Sequence, residues 1–347
     1  MDRKKIIMAM SVSVLMPLSA SALSALPSNR QVQPTFTEWH DLQINEVNRY
    51  PMHTHFFTYE SDAKALKGDM SASSNYLSLQ GDWKFKWVAD ADERPTDFWK
   101  TGFDDSSWQT LRIPGIWEMN GYGQPEYVNI GFAWRGHFKN NPPEVPAKDN
   151  HVGSYRRIIH IPDDWNGKQV ILHMGSVTSN MYLWVNGHYV GYTEDSKVEK
   201  EHDITPYLKK GDNLIAFQIF RWCDGSYDED QDFWRLSGVA RECYLYAKNK
   251  VNQLTDIRIT PDLTDNYQDG TLNVDAKVKG KACLHLRLFD PQGDVVAEKK
   301  INYVKEGMVK AAFEIKAPQK WTAETPILYT LLASIENPVN SRSLYEA

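Results

Sequence analysis

Five carboxylates crowd the stretch RWCDGSYDEDQDFWRLSGVAR between Arg221 and Arg241: Asp224, Asp228, Glu229, Asp230 and Asp232. Trp222, Phe233 and Trp234 flank them. Carboxylates this close repel one another, so the segment calls for a cation, for arginines or for a polar ligand. Sugars suit such a place, because their C–H faces stack on aromatic rings while their hydroxyls need acceptors. Paired carboxylates can also split a glycosidic bond, but a retaining pair must stand about 5–5.5 Å apart on opposite sides of that bond. Neighbours on one loop, such as Glu229 and Asp232, rarely reach that geometry, and no catalytic pair is assigned. The plain alternative is a solvated acidic loop.

Other chemistries find no support. The chain has no G-x-x-x-x-G-K-[ST], no H-E-x-x-H and no G-x-S-x-G. Gly121 and Gly123 begin a G-x-G, but Glu126 stands where a third glycine would complete a dinucleotide fingerprint. The acidic loop lacks the sixth-position glycine and helical flanks of a calcium-binding EF-hand. His53 and His55 form an H-x-H without a third ligand and are expected to be ordinary. Cys223, Cys243 and Cys283 match no zinc spacing, and buried free thiols are favoured over a Cys223–Cys243 bridge. The net charge of −6, with no basic block, speaks against nucleic acid as a partner.

The elements that must position the acidic loop read as strands. NLIAFQIF leads into it and ECYLYA leads out. LQGDWKFKWV alternates with period two, so Trp83, Phe85 and Trp87 share a face. MYLWV and HYVGYTE flank Asn186-Gly187, a pair that tolerates positive φ at both positions and predicts a type I′ hairpin. The long segment from Ile113 to Pro146 is rich in Pro, Gly and Asn, and long ordered loops in compact domains usually carry function. Helix is expected only in short pieces, near Asp97 to Lys100 and Thr205 to Leu208.

At 347 residues the chain has room for two or three domains. Residues 1–22 read as a secretory signal, with basic Arg3, Lys4 and Lys5, an apolar run from Ile6 to Leu18, and cleavage after Ala22. No later stretch approaches the length of a membrane span, so an exported, periplasmic or secreted protein is expected. Residues 23–75 lack useful periodicity and read as an extended arm. A β domain follows over residues 76–249. From residue 250, short alternating runs about ten residues apart predict an immunoglobulin-like sandwich to residue 347. No closing strand is expected at its end, which reads as a cut.

DGSYDEDQDFWRLSG, with the preceding VNGHYVGYTEDSKVEKEHDITPYLKKGDNLIAFQIFRW, resembles the sugar-binding domain of large bacterial β-galactosidases of glycoside hydrolase family 2. WHDLQINEVNRYPMH resembles that family's N-terminal arm, and LQGDWKFKW and IPGIWEMNGYGQPEYVNI its jelly-roll opening and active-site loop. KWTAETPILYTL resembles the end of its first immunoglobulin-like domain. The resemblance implies an all-β chain, a jelly-roll sandwich followed by an immunoglobulin-like one. It also implies that Asp232 contacts galactosyl hydroxyls and a sodium ion, and that Asn129 contacts the same sugar. Trp234, Arg235 and Gly238 are expected to serve packing, ion pairing and a tight turn, and Trp222 and Phe233 to be core. Glu229 and Asp230 are expected to pair with Arg221, Arg235 or Arg241.

In this family the catalytic acid and nucleophile are two glutamates on a (β/α)₈ barrel, which also carries the magnesium ligands. The chain ends before that barrel, so the expectation is an accessory portion of a retaining β-galactosidase, inactive alone and, in the full enzyme, oligomeric. The alternative is a non-catalytic carbohydrate-binding protein.

Overall fold

The computed structural model describes residues 33–336, apart from 133 and 230, together with the backbone of Ser343–Glu346. The expected signal segment, residues 1–22, lies outside the described residues. Strands dominate and pair antiparallel throughout. Two sandwiches result.

In the first, a seven-stranded sheet runs in the order Glu46–Val47, His188–Thr193, Met181–Val185, Gly211–Phe220, Val152–Ile161, Gly81–Val88, Gln109–Ile113. It faces a four-stranded sheet ordered Lys200–Asp203, Gln169–Met174, Cys243–Lys248, Tyr76–Ser78. Side-chain alternation fills the space between them. Trp83, Tyr155, Leu183 and Phe217 of the large sheet meet Leu172, Met174 and Leu245 of the small one. The opposite face of the large sheet carries Tyr182, Trp184, Tyr192 and Phe220, and it too is covered, by Trp39 of the arm and by Phe98 and Trp134 of loops. Burial on both faces is why Met181–Val185 is apolar at every position rather than alternating.

Asn186 and Gly187 turn the hairpin with φ of 51° and 85°, and Val185 pairs with His188, as the dipeptide predicts. Trp83 and Phe85 are buried, and Trp87 packs against the same core. Of the two expected helical pieces, Thr205–Tyr207 is a short 3₁₀ turn, while Asp97 to Lys100 closes only one hydrogen-bonded turn. All three cysteines are free thiols, Cys223 and Cys243 being buried.

The second sandwich packs Gln253–Thr264, Asp269–Lys279 and Gly307–Ile315 against a sheet ordered Thr58–Tyr59, Ser343–Glu346, Thr330–Glu336, Ala282–Phe289, Val295–Val304. Strand Asp269–Lys279 shows the expected alternation, with Leu272, Val274, Ala276 and Val278 inward. Two expectations need correction. A strand does follow Glu336, because Ser343–Glu346 finds open edges on both Thr330–Glu336 and Thr58–Tyr59. The arm is also more structured than its lack of periodicity indicated. Its strands Glu46–Val47 and Thr58–Tyr59 each join a different sandwich, and Asp62–Ala65 makes one helical turn capped by Ser61. Phe57 and Tyr59 of the arm bury against Tyr244 and Tyr246 of the first sandwich and Phe289 and Leu332 of the second, fastening the two together.

Candidate substrate-contact site

The acidic loop emerges where strand Gly211–Phe220 ends. Asp224–Tyr227 forms a 3₁₀ turn, and the chain then returns as the short strand Phe233–Arg235. That strand pairs with Glu126–Val128 from the long loop: Phe233 with Val128, Trp234 with Tyr127, Arg235 with Glu126. Asn129 follows the first of these strands and Asp232 precedes the second, each in a bend just past the ladder. Directly opposed residues of an antiparallel pair point the same way, and alternate positions share a face. Tyr127 and Trp234 therefore share one face, and Tyr127, Asn129, Asp232 and Trp234 are all exposed. The Tyr127 hydroxyl donates to Asp232 Oδ1, and the Tyr127 and Trp234 rings meet edge-on with centroids 5.7 Å apart. The hydrogen bond to Asp232 raises the Tyr127 hydroxyl above its ordinary pKa.

The ribbon's other face anchors it. Val128 is buried, and Arg235 stacks its guanidinium 4.5 Å from the Phe233 ring centroid. At its root, buried Arg221 lies 3.3 Å from Glu126 Oε1, and His137 Nε2 lies 2.7 Å from the same oxygen. His137 Nδ1 also pairs with Asp149. The loop from Ile113 to Pro146 is packed by its own aromatics. Trp134 is fully buried between Phe138, Trp222 and Tyr227, and Tyr227 donates to the Glu144 carbonyl at 2.8 Å. Trp117, at the loop's start, donates to the Tyr155 hydroxyl, while its backbone N–H bonds Ser237 O at 3.0 Å. Both strands of the ribbon thus hang from the jelly-roll core.

The five acidic residues part company. Asp228 is exposed. Glu229 accepts the backbone N–H of Ser196 at 2.7 Å. Asp230 lies outside the described residues. Asp224 turns inward, 3% exposed, beside Glu194, which is 1% exposed. Burial, with Asp224 alongside, pushes the Glu194 carboxyl up to about 9, and burial also raises Asp224. Glu194 accepts from the Tyr192 hydroxyl at 2.5 Å, while its Oε2 and Asp224 Oδ2 are both buried without a hydrogen bond. Glu194, Asp224 and the Cys223 thiol bring one ligand atom each within 4.8 Å of one another, a set able to exchange a proton for a metal ion. Sequence reasoning missed Glu194. It lies at the end of a strand remote in sequence from the loop, and no local spacing marks it.

Trp234 corrects the packing expectation. It is 54% exposed, on the ribbon face it shares with Tyr127, whereas Trp222 is core as expected. Phe233 is half-buried. Gly238 is not in a tight turn. It sits in strand Gly238–Val239 with φ of 109°, where a Cβ would come within 2.6 Å of the Gly115 carbonyl. His53 Nε2 lies 3.0 Å from Oε2 of Glu201, a carboxylate of the jelly roll.

The described residues form a jelly-roll sandwich followed by an immunoglobulin-like sandwich, and an exposed carboxylate, Asp232, stands beside the Tyr127 ring at one end of the first. The chain belongs to glycosyl hydrolase family 2. Residues 76–249 match the sugar binding domain of glycosyl hydrolases family 2, and residues 252–344 a second domain of that family. The chain is 35% identical over 318 residues to a beta-galactosidase of Priestia megaterium, covering 88% of this chain and 31% of that protein. It is 36% identical to a beta-galactosidase of Lactobacillus delbrueckii subsp. bulgaricus, over 83% of this chain and 28% of that one. The chain thus spans about a third of the length of these relatives. Among solved structures, Bacteroides uniformis beta-glucuronidase 2 aligns with a TM-score of 0.62 at 22% identity, over 78% of this chain and 31% of that one, a likeness of fold.

Proposed function

We propose that this chain is the N-terminal portion of a retaining β-galactosidase acting on terminal non-reducing β-D-galactosides, and that its part is accessory. Asn129 and Asp232 contact the galactosyl hydroxyls, and the catalytic acid and nucleophile are supplied by a barrel domain. The observation that supports this reading is the ribbon: Phe233–Arg235 pairs with Glu126–Val128, the strands that adjoin Asp232 and Asn129, and both residues are exposed. An amide both donates to and accepts from hydroxyls, and a carboxylate accepts two. Asp232 is also the proposed sodium ligand. The fit is chemical: Tyr127 occupies Oδ1, and the other oxygen of this exposed carboxylate is the hard donor a monovalent cation takes. Magnesium is assigned to the barrel alone.

The portion is proposed to be inactive by itself, to function in an oligomeric full enzyme, and to be exported under its N-terminal signal. No helix among the described residues is long and apolar enough to cross a membrane. The test is titration of the 347-residue chain with a β-galactoside, beside hydrolysis assays of the chain and of the complete enzyme. The proposal expects weak or no binding by the chain alone, and hydrolysis only by the complete enzyme. Tight galactoside binding by the chain would instead favour a stand-alone carbohydrate-binding protein.

A further inference from the structure

Where the arm crosses from one sandwich to the other, a single carboxylate collects three partners. Glu201 Oε1 lies 2.9 Å from His173 Nδ1, and Oε2 lies 3.0 Å from His53 Nε2. Oε2 also accepts from the Tyr246 hydroxyl at 2.8 Å. The second ring nitrogen of His53, Nδ1, faces the Thr54 carbonyl oxygen at 2.7 Å. The carbonyl can only accept, and so can an ionised carboxylate. A neutral imidazole has one N–H, so one of these two contacts would press a lone pair against an oxygen. Only the imidazolium, donating from both nitrogens, satisfies both. His173 is the other imidazole on this carboxylate. Its Nδ1–H reaches Glu201, its Nε2 is buried without a hydrogen bond, and its ring lies over Tyr244 with centroids 4.3 Å apart.

The residues around His53 tie this proton to the join between the domains. Tyr50 N–H donates to the Glu201 backbone carbonyl at 2.7 Å. Thr54 grips the first strand of the second sandwich: its N–H and hydroxyl reach Asp256 Oδ1 at 3.0 and 3.1 Å, and the hydroxyl also reaches Ile257 O at 2.6 Å. Phe56 packs on the second core, its ring 5.1 Å from that of His53. We infer that segment 50–57 is a proton-dependent strap: it holds the two sandwiches together with His53 as an imidazolium, and loosens when His53 loses its proton.

The charged groups facing His53 agree in direction. Burial opposes its charge and Lys248 opposes it weakly, but the hydrogen bond and charge of Glu201 and the Thr54 carbonyl outweigh both, so its pKa is raised. Burial likewise opposes the Glu201 charge, and the His173 and His53 hydrogen bonds outweigh it, holding that carboxyl well below its ordinary range. Glu201 therefore stays ionised while His53 titrates. A raised folded pKa means that the His53 contact contributes fully below the unfolded value of about 6.5 and is lost as pH rises through the docked value.

Hydrogen exchange of peptides spanning residues 46–60, measured on the whole chain from about pH 6 to pH 8.5 and corrected for intrinsic rates, tests this. Protection of the arm should fall with rising pH in the wild type and in the control His55→Gln. It should be low and flat in His53→Gln, whose folding is checked by its melting transition. The His53 C2–H resonance should titrate above its unfolded value. A titration at or below that value, or the same pH response in His53→Gln as in the wild type, overturns the inference.

Discussion

Tyr127 donates its hydroxyl hydrogen to Asp232 across 105 residues of chain, and this bond ties an exposed carboxylate of the acidic loop to the strand that leads to Asn129. The bond is diagonal in the ribbon, since Tyr127 opposes Trp234 and Asp232 lies two positions before it. In the complete enzyme proposed above, Asp232→Ala and Asn129→Ala should each lower kcat/KM roughly ten- to hundredfold, the worth of a hydrogen bond to a charged or polar substrate group. Tyr127→Phe leaves the carboxylate but frees its rotamer, so a smaller loss is expected. Asp228→Ala, at an exposed position, should stay within about twofold. Steady-state kinetics of the four variants separates these outcomes, and equal small effects would reduce the face to plain surface.

The site's foundation is testable apart from activity. Gly153 lies under the Trp117 indole, and a Cβ there would come within 2.3 Å of Trp117 Cζ2 and 2.9 Å of Phe85 Cε2. Neither ring can retreat from a packed core, so Gly153→Ala should destabilise by about 1–3 kcal/mol or more. Gly102→Ala, with nothing within 4 Å of the new carbon, should change stability by less than about 0.5 kcal/mol. Urea denaturation of the two variants makes the comparison.

What the sequence disclosed of this architecture was mainly local. The Asn186-Gly187 hairpin needs only two residues with positive φ, and the alternation in Asp269–Lys279 needs only one strand with a buried face. Asn129 and Asp232 were legible only through family resemblance, because they adjoin two short strands that pair from far apart in the chain. The same non-local register exposes Trp234, which the residue type alone does not foretell. Glu194 beside Asp224, and strand Ser343–Glu346 between two edges, were hidden for that reason as well. The single helical turn Asp62–Ala65 is too short to carry periodicity.

Two histidines predict an acid-side instability opposite in sign to the His53 effect. His202 is fully buried, and burial followed by the charge of Arg49 pulls its pKa down to about 3. Burial and Arg221 pull His151 down to about 4. Depressed histidines bind protons in the unfolded chain first, so folded stability is full above about pH 6.5 and falls as pH drops toward 4. The loss should be on the order of a few kcal/mol. His202→Gln should flatten the decline while costing some stability at neutral pH. Urea midpoints from about pH 7 to pH 4 give the slope, and an unchanged slope in the variant would assign the decline to other groups.

Arg221 offers the sharpest test of how the ribbon is held. Its side chain is 2% exposed, with Nη2 3.3 Å from Glu126 Oε1, Nη1 3.1 Å from His151 Nδ1, and the guanidinium carbon 4.8 Å from the Trp222 ring centroid. Glu126 is 21% exposed, so water screens part of the charge left behind when the arginine is removed. Arg221→Met should therefore cost about 2–3 kcal/mol, less than for a pair wholly out of water. Glu126→Gln in the same chain should recover part of that loss, because the stranded carboxylate is then gone. A double-mutant cycle on denaturation free energies reads the coupling directly. Additive costs would mean that His137, 2.7 Å from the same Glu126 oxygen, holds the ribbon without the arginine.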